Sequence, residues 1–438
     1  MVEMKSGYKM TEVGVIPEDW EVKNVSESCL IKARIGWQGL KKTEYMSSGD
    51  YLLITGTDFD NGQVNWRTCA YVSKARYEQD SNIKIRPQDI LISKDGTIGK
   101  VAYLGMIPKA GTLNSGIFVI RANDRKIDQV FLSKIFMSFY FEDFLNRLVA
   151  GSTINHLYQN DFVKFCFPLP NSEEQTAIAT ALSDVDSLIS ALTKKIEKKK
   201  AIKQGLMQQL LTGKKRLPGY EKNRESVQTE WGAIPKDWKT LSIGKCCSIK
   251  ARIGWQGLKK SEYLSSGEYV LVTGTDFLNG RINWKSCVYV SKKRYEQDAN
   301  IQIAKHDILI TKDGTIGKVA FLDDVPCLGT LNSGIFVVRS HSEELDQCYL
   351  SKIFESFIFD AFLESLVAGS TINHLYQKDF VHFNFPVPPT ISEQTAIANI
   401  LSDCDSEIAA LEEKRDKYKE IKQGMMQQLL TGKIRLIK

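Results

Sequence analysis

The stretch Ser172–Gly213, SEEQTAIATALSDVDSLISALTKKIEKKKAIKQGLMQQLLTG, decides the architecture and predicts one long amphipathic helix. Ser172 and Gln175 have the spacing of a capping box, and Gly213 offers the left-handed residue that ends many helices. Between them, apolar side chains recur every seven residues in two neighbouring columns: Ile178, Val185 and Leu192 in one, and Leu182, Ile189 and Ile196 in the other. This spacing is typical of a coiled coil.

The same element returns at the end of the chain, over Thr390–Gly432. Thr390 and Glu393 repeat the capping box, and Arg415 breaks the copied stripe where the first helix has Ile196. The copied stripe itself consists of Ile397, Cys404, Leu411, Leu401 and Ile408. Because each helix has one apolar seam, we expect the two helices to pair antiparallel; packing of each on its own globular neighbour is the alternative.

An internal duplication surrounds the two helices. The decapeptide ARIGWQGLKK begins at Ala33 and again at Ala251, and the same shift relates SKDGTIGK to TKDGTIGK and repeats LVAGSTINHLYQ. The two copies are far more similar than a shared fold requires, so the chain reads as module, helix, module, helix.

Short runs rich in Val, Ile, Tyr and Phe, separated by Gly, Asn and Asp, predict a mainly β module with a curved or barrel-like sheet. KIDQVFLSKIFMSFYFEDFLNRLVAG then predicts one or two helices ending at Gly151. The fold class is therefore α+β, with two mainly β globular domains, two long antiparallel helices and approximate twofold symmetry. The expected boundaries are 1–171 for the first domain, 172–213 for the first helix, 214–228 for a linker, 229–389 for the second domain, 390–432 for the second helix and 433–438 for a tail.

Composition fits an ordinary globular chain. Of 438 residues, 43% are hydrophobic and 25% charged, and the net charge of +6 permits a polyanionic partner without requiring one. Nine cysteines without a CxxC pair fit neither a disulfide framework nor a zinc ribbon, which favours a reducing cytoplasm. We expect no targeting segment and no membrane span.

Motifs for catalysis do not emerge. Gly96–Val101 is too short for a phosphate-binding loop, the five histidines form no HExxH, and no dinucleotide or methyl-donor turn follows a strand. We expect no catalytic residue and no metal site in this chain.

Polar and basic residues that repeat in both modules are the candidates for binding DNA. Arg and Gln can contact guanine and adenine edges in pairs, and Lys suits phosphates. The alternatives are solubilising loops, an ordinary Asp-Gly turn and a capped helix start. The candidates are Arg34, Gln38, Lys41, Lys42, Lys94, Asp95, Asn114, Ser115, Ser152, Thr153, Asn155 and His156 in the first module, and Arg252, Gln256, Lys259, Lys260, Lys312, Asp313, Asn332, Ser333, Ser370, Thr371, Asn373 and His374 in the second.

These motifs together resemble the specificity subunit of a type I restriction-modification system, over essentially the whole chain. The resemblance is carried by GxIPxDW at Gly14–Trp20 and Gly232–Trp238, by DILISKDGTIGKVA at Asp89–Ala102 and its copy at Asp307–Ala320, by GSTINHL and FPLP, and by EQTAIA and KQGLMQQLLTGK. It implies two target recognition domains that read the two halves of a bipartite site in double-stranded DNA, and a paired-helix spacer that docks two methyltransferase subunits. Restriction subunits then join, and S-adenosylmethionine, ATP and Mg belong to those partners. The resemblance thus implies a non-catalytic subunit.

The two domains are nearly the same here, whereas recognition domains in such subunits usually differ. We therefore hypothesise a near-palindromic site with similar half-sites inverted about a nonspecific spacer. Differences such as Asp60 against Leu278, Gln63 against Arg281 and Arg86 against Ala304 leave room for incomplete symmetry.

Apolar residues near the helix ends, namely Leu206, Met207, Met425 and Met426, are candidates for docking methyltransferase subunits, with coiled-coil core as the alternative. A stand-alone DNA-binding or scaffolding protein and an independent enzyme remain as the competing functions.

Overall fold

The computed structural model of this chain describes residues 6–149, 156–221, 225–367 and 374–437. Its elements follow the predicted order of β-rich module, long helix, β-rich module and long helix.

The first module is built from short strands, as its turn residues predict. Its strands are β1 (Tyr8–Thr11), β2 (Gly14–Pro17), β3 (Glu21–Asn24), β4 (Cys29–Ala33), β5 (Tyr51–Ile54), β6 (Phe59–Asp60), β7 (Gln63–Val64), β8 (Ala70–Val72), β9 (Ile90–Ser93), β10 (Val101–Tyr103), β11 (Gly111–Leu113), β12 (Ile117–Ala122) and β13 (Cys166–Leu169). Its helices are α1 (Val25–Ser28), α2 (Lys74–Glu78), α3 (Gln129–Phe136), α4 (Phe139–Val149) and α5 (Gln159–Phe162). The stretch predicted as one or two helices is thus two, α3 and α4; the predicted end at Gly151 lies outside the described residues.

The first long helix, α6, spans Ser172–Leu210, and the second module follows it. The strands of this module are β14 (Ser226–Thr229), β15 (Gly232–Pro235), β16 (Lys239–Ser242), β17 (Cys247–Ala251), β18 (Tyr269–Val272), β19 (Phe277–Leu278), β20 (Arg281–Ile282), β21 (Val288–Val290), β22 (Ile308–Thr311), β23 (Val319–Phe321), β24 (Gly329–Leu331), β25 (Ile335–Ser340) and β26 (Asn384–Val387). Its helices are α7 (Ile243–Cys246), α8 (Lys292–Tyr295), α9 (Gln347–Phe354), α10 (Phe357–Val367) and α11 (Gln377–Phe380), and the second long helix, α12, spans Ile391–Leu429.

Each module has a four-stranded sheet and a three-stranded sheet. In the first module the strand orders are β10-β9-β12-β4 and β11-β5-β8, and β11 pairs with β5 in parallel. Side chains of β9 alternate between two cores, because Ile90 and Ile92 face the helices while Leu91 faces the smaller sheet. The central strands are therefore buried on both faces, which explains their continuous apolar sequence.

The chain divides into two compact units, and both long helices contribute to each. Unit 1 comprises Met1–Thr193 and Glu413–Lys438, and unit 2 comprises Lys194–Glu412. In unit 1, Ile178 and Leu182 of α6 and Leu429 of α12 enter the core of the first module. In unit 2, Ile397 of α12 and Leu210 of α6 enter the core of the second. The beginning of each helix thus packs on its own module, as the alternative interpretation of the sequence holds.

The helices also pair antiparallel, which confirms the predicted pairing. In unit 1, Asp186 of α6 contacts Lys422 of α12 at 2.6 Å. In unit 2, Lys203 contacts Asp405 at 2.5 Å and Lys199 contacts Glu407 at 2.7 Å, so rising numbers on one helix meet falling numbers on the other. Each long helix therefore packs into the module cores near its ends and pairs with the other helix along the stretch between those ends.

The helix starts differ from the sequence expectation. The predicted capping box at Ser172 is wrong, because the side chain of Asn171 accepts from the backbone N–H of Glu174 at 2.9 Å and Gln175 bonds to Lys126 and Asp128 of the module instead. Thr390 does cap α12 by accepting from the N–H of Glu393 at 3.3 Å. The Glu393 carboxylate does not complete a box, since Arg216 binds it at 2.5 Å and 2.7 Å.

The predicted helix stops are confirmed, and the stretches after them are held in place. Gly213 has φ +67° and Gly432 has φ +68°. In the expected linker 214–228, Arg216 also binds Asp237 at 3.1 Å, and β14 begins at Ser226. In the expected tail, Arg435 binds Asp19 and Glu174 in the same way. The first stretch is therefore part of unit 2, and the second is part of unit 1.

Candidate nucleic-acid interface

A buried arginine anchors the loop that carries the ARIGWQG sequence. Arg34 is 2% exposed and donates to Leu113 O at 2.9 Å, to Thr112 Oγ1 at 3.0 Å and to Gln79 Oε1 at 3.2 Å. Arg252 makes the equivalent bonds in unit 2. Burial lowers the pKa of the Arg34 guanidinium, and the neighbouring charge of Arg76 adds to this effect. Since all its groups bond inside the protein, Arg34 positions the loop in this structure instead of facing a ligand.

A second arginine, which sequence reasoning missed, holds the outer part of the same loop. Arg76 binds both carboxylate oxygens of Glu44, at 2.7 Å and 2.9 Å, and donates to Gln79 at 2.9 Å. Glu44 in turn accepts from the N–H of Lys41 at 2.8 Å. The hydrogen bond from Arg76 lowers the pKa of Glu44 to about 2. Exposed Lys41 and Lys42 are therefore carried on a braced turn, as are Lys259 and Lys260 in unit 2, where Arg294 binds Glu262.

The two candidate glutamines of this loop are buried. Gln38 is 6% exposed and its Oε1 has no hydrogen-bond partner among the described residues. Gln256 is equally buried, and its Oε1 accepts from the N–H of Ile253 at 3.4 Å. Neither side chain is placed to contact a ligand from outside.

The asparagines of the GTLNSG turns close those turns. Asn114 Oδ1 accepts from Gly116 N at 2.9 Å and from Ser115 Oγ at 3.2 Å, while its amide donates to the hydroxyl of Tyr45. In unit 2, Asn332 donates to the hydroxyl of Tyr263 at 2.6 Å. These tyrosines tie the turn to the loop held by Arg34 and Arg252. Tyr45 and Tyr263 lie far from these turns along the chain, so the sequence alone does not indicate the contact.

The loop of Lys94 and Asp95 meets the segment that begins at His156. Leu157 N donates to Lys94 O at 2.8 Å, and Lys94 N donates to Gly116 O at 2.8 Å. The imidazole Nδ1 of His156 bonds to the carboxylate of Asp95, and the ring lies 4.7 Å from the ring of exposed Tyr158. The same contacts join Lys312, Asp313, His374 and Tyr376. Six candidates lie outside the described residues: Ser152, Thr153, Asn155, Ser370, Thr371 and Asn373.

Four stretches of each module thus converge on one surface, which we call the recognition face. In unit 1 its accessible polar and aromatic members are Lys41, Lys42, Tyr45, Lys94, Asp95, Ser115, His156 and Tyr158; in unit 2 they are Lys259, Lys260, Tyr263, Lys312, Asp313, Ser333, His374 and Tyr376. Every member has the same residue type in both units. Lysines beside exposed tyrosines suit a nucleic acid, because ammonium groups pair with phosphates and aromatic rings pack on bases and sugars.

The candidate docking residues lie partly inside the units. Met207 is buried in the core of unit 2, and Leu206 packs against that core. Met425 and Met426 pack against the core of unit 1. Two other apolar residues of the same helices are more accessible, Ile202 at 44% and Ile421 at 41%.

Two kinds of site are not found within the described ranges. No helix there is long and apolar enough to cross a membrane. The same residues contain no group of three or more His, Cys, Asp or Glu side chains arranged to hold a metal ion.

Comparison with known proteins assigns the family. The type I restriction modification DNA specificity domain matches twice, at residues 17–204 and 235–423. The MjaVIII specificity subunit of a type I restriction enzyme from Methanocaldococcus jannaschii is 27% identical over 96% of this chain and 94% of its own length. The MjaIX specificity subunit from the same organism is 23% identical over 98% and 96%. In fold, the chain is similar to the crystal structure of the type I restriction-modification S subunit from M. genitalium, with a TM-score of 0.61, 14% identity and coverage of 94% of this chain and 96% of that one.

Because two copies of the domain account for most of the chain and the fold agrees, the chain belongs to the family of type I restriction-modification specificity subunits, with one target recognition domain in each unit.

Proposed function

We propose that each unit reads one half of a bipartite site in double-stranded DNA and that the two half-sites are nearly the same sequence, inverted about a nonspecific spacer. The observation that carries this proposal is the identity of the two recognition faces. Equal sets of donors, acceptors and rings on equal scaffolds select equal base sequences. The paired helices would then set the length of the spacer.

Some differences between the modules lie next to the matched members of these faces, since Asn160 near Tyr158 is replaced by Lys378, whose ammonium lies 5.5 Å from the centre of the Tyr376 ring. Asp60 and Gln63 are on the β6–β7 hairpin, where unit 2 has Leu278 and Arg281, and exposed Arg86 corresponds to Ala304. Such changes favour small departures from symmetry in the site over two unrelated half-sites.

Sequencing the methylated positions in the genome of a strain that carries this chain tests the proposal. We expect methylation at a split, near-palindromic sequence. Two unrelated half-sites would overturn the proposal. A matched control is a chain in which residues 232–387 are replaced by residues 14–169, so that both units carry the first recognition face. This chain should methylate the same site, made fully symmetric.

We propose further that methylation and cleavage of the DNA are carried out by other chains. The family to which this chain belongs provides DNA specificity. Two methyltransferase subunits would carry S-adenosylmethionine, and restriction subunits would carry ATP and Mg. The nine free cysteines fit the cytoplasm as the compartment of this complex.

For docking of the methyltransferase subunits we propose the helix surface around Ile202 and Leu206 and its equivalent around Ile421 and Met425. Ile202 and Ile421 are large apolar side chains that remain accessible on otherwise polar helix faces. Each lies four residues before a candidate docking residue, so the two share one helix face.

Co-purification of a chain with Ile202→Asp and Ile421→Asp tests this surface. The methyltransferase subunits should be lost while thermal unfolding of the variant stays close to that of the parent chain. Gln204→Asp, at an exposed position on the opposite side of the helix from Ile202, is the control and should keep its partners. Full retention by the double variant would move the docking surface elsewhere.

A further inference from the structure

An imidazole and a carboxylate form the same exposed pair on each recognition face. His156 Nδ1 bonds to Asp95 Oδ1, and His374 Nδ1 bonds to Asp313 Oδ1. The side-chain exposures are nearly equal in the two copies, at 31% and 30% for the histidines and 45% and 44% for the aspartates. Two copies that differ at many other surface positions have thus kept one geometry here.

Three contacts fix the direction of the His156 ring. The backbones of Asp95 and His156 form an isolated antiparallel bridge, and the next residue, Leu157, is buried. Tyr158 packs on one side of the ring at 57° between planes. Gly116 lies so close to Asp95 that a Cβ at this glycine would be 3.4 Å from Asp95 Oδ2. The backbone of His156 and the Nδ1 atom of its ring are therefore both held in place, and Nε2 is the polar atom left to meet a ligand.

The charge of Asp95 decides which part of DNA this nitrogen suits. An exposed carboxylate repels phosphates, so the pair is poorly suited to the DNA backbone. Base edges in the major groove carry no net charge and present both donors and acceptors. When a carboxylate accepts from Nδ1–H, the Nε2 of a neutral imidazole is an acceptor.

We propose that His156 and His374 each read a base edge through Nε2, as acceptors for the exocyclic amino group of an adenine or a cytosine, and that Asp95 and Asp313 are positioning residues. This inference rests on the proposed DNA-reading function. It assigns the histidines to sequence discrimination, and it leaves the charge contacts with phosphates to the lysines of the recognition face.

The variant His156→Asn with His374→Asn separates contact from positioning. Asparagine places an amide donor near the position of Nδ1, so it can still bond to the aspartate, but it has no atom at Nε2. The assay uses the complex with its methyltransferase subunits and two duplexes, one with the site found by methylation sequencing and one with that site scrambled. Dissociation constants are measured over a range of salt concentrations.

We expect affinity for the site duplex to fall about tenfold or more, since the double variant loses one base contact in each half-site. Affinity for the scrambled duplex and the slope of affinity against salt should be unchanged. Asp95→Ala with Asp313→Ala should lose most of the same discrimination, because the ring is then free to turn. His382→Asn, at an exposed position off the recognition face, is the matched control and should bind as the parent does.

Two results would overturn the inference. If the asparagine variant binds the site duplex as tightly as the parent does, the histidine–aspartate pair only holds the backbone in place at His156. An equal loss on both duplexes with a shallower salt slope would assign the histidines to phosphates. Failure of the proposed function itself looks different, because the parent complex would then fail to prefer the site duplex.

Discussion

Lys203 of α6 contacts Asp405 of α12 at 2.5 Å, and the other oxygen of this carboxylate accepts from Lys352 of α9 at 2.8 Å. One carboxylate thus joins the helix pair of unit 2 to its globular module. In unit 1, Asp186 joins Lys422 and Lys134 in the same way. The antiparallel pairing of the helices and the docking of the module therefore depend on the same group.

Replacing Asp405 with Asn should destabilise unit 2 in a pH-dependent manner. Burial opposes ionisation, but Lys352 and Lys203 outweigh it and hold the pKa of Asp405 below its ordinary value. A carboxyl whose pKa is lower in the folded state stabilises above the unfolded pKa, and this contribution is lost as pH falls through the folded value. We expect a cost of about 3 kcal/mol at pH 7 that shrinks below about pH 4. Thermal unfolding of both proteins between pH 3 and pH 7 measures it, and a constant difference would contradict this account.

Glu355 adds a second carboxylate to the ion pairs between the long helices and the module in unit 2. It binds Lys203 at 3.0 Å, and both side chains are largely buried, whereas the first module has Met137 at this position. Glu355→Met should lower the stability of unit 2 by about 1 kcal/mol, because Lys203 and Lys352, which Glu355 also contacts at 3.4 Å, then share the single carboxylate of Asp405. Met137→Glu, the reciprocal change, should cost unit 1 less or stabilise it, since Lys422 is the cation equivalent to Lys203. Chemical unfolding curves of the two variants give the comparison; equal losses would show that the two sites are not equivalent.

The glycine that ends α6 should tolerate no side chain. Gly213 has φ +67°, and a Cβ there would lie 2.5 Å from Pro235 Cδ. Gly213→Ala should cost at least about 1 kcal/mol, from the left-handed backbone and the clash together. Gly205→Ala is the control inside the same helix, where a Cβ meets nothing within 4 Å, and it should stabilise by up to about 1 kcal/mol. Melting temperatures should therefore move in opposite directions for the two variants.

Arg34→Met should weaken both folding and DNA reading. The change removes the donor to Leu113 O and leaves a buried carbonyl without a partner, at a cost of about 2 kcal/mol. Lysine at this position keeps the charge but cannot make three bonds in one plane, so Arg34→Lys should rescue little. Arg125→Met, at an exposed position, should leave stability unchanged. Urea unfolding and binding to the site duplex check both effects, and full stability of Arg34→Met would remove the positioning role.

The order of elements, the internal repeat and the helix pairing could be predicted from the sequence. They depend on hydrophobic periodicity and on turn residues, which are local features. It placed the first helix cap on Ser172 instead of Asn171, because both residue types cap helices and the choice depends on Gln175 bonding to a distant loop. The continuous apolar runs of β9 and β12 indicated strands, but not that their faces serve two different cores.

For the recognition face, the sequence indicated which loops take part but not the structural role of each side chain. Arg34 and Gln38 have the residue types that read bases, yet they are buried. Tyr45 and Arg76 hold the face together through contacts with residues far along the chain, and nothing near them in sequence indicates this. Burial and partner choice are set by tertiary packing, which a single sequence does not display.

The sharing of each long helix between the units has a consequence for synthesis on the ribosome. The core of unit 1 includes Leu429 and Leu430, and Arg435 neutralises buried Glu174. These residues are translated after the whole second module, so the first module emerges early but its core cannot close until the second module has been made. During that interval Trp20 and Ile178 remain part of an exposed apolar surface on the nascent chain, which favours aggregation. Unit 2, although translated later, is the first unit that can finish folding.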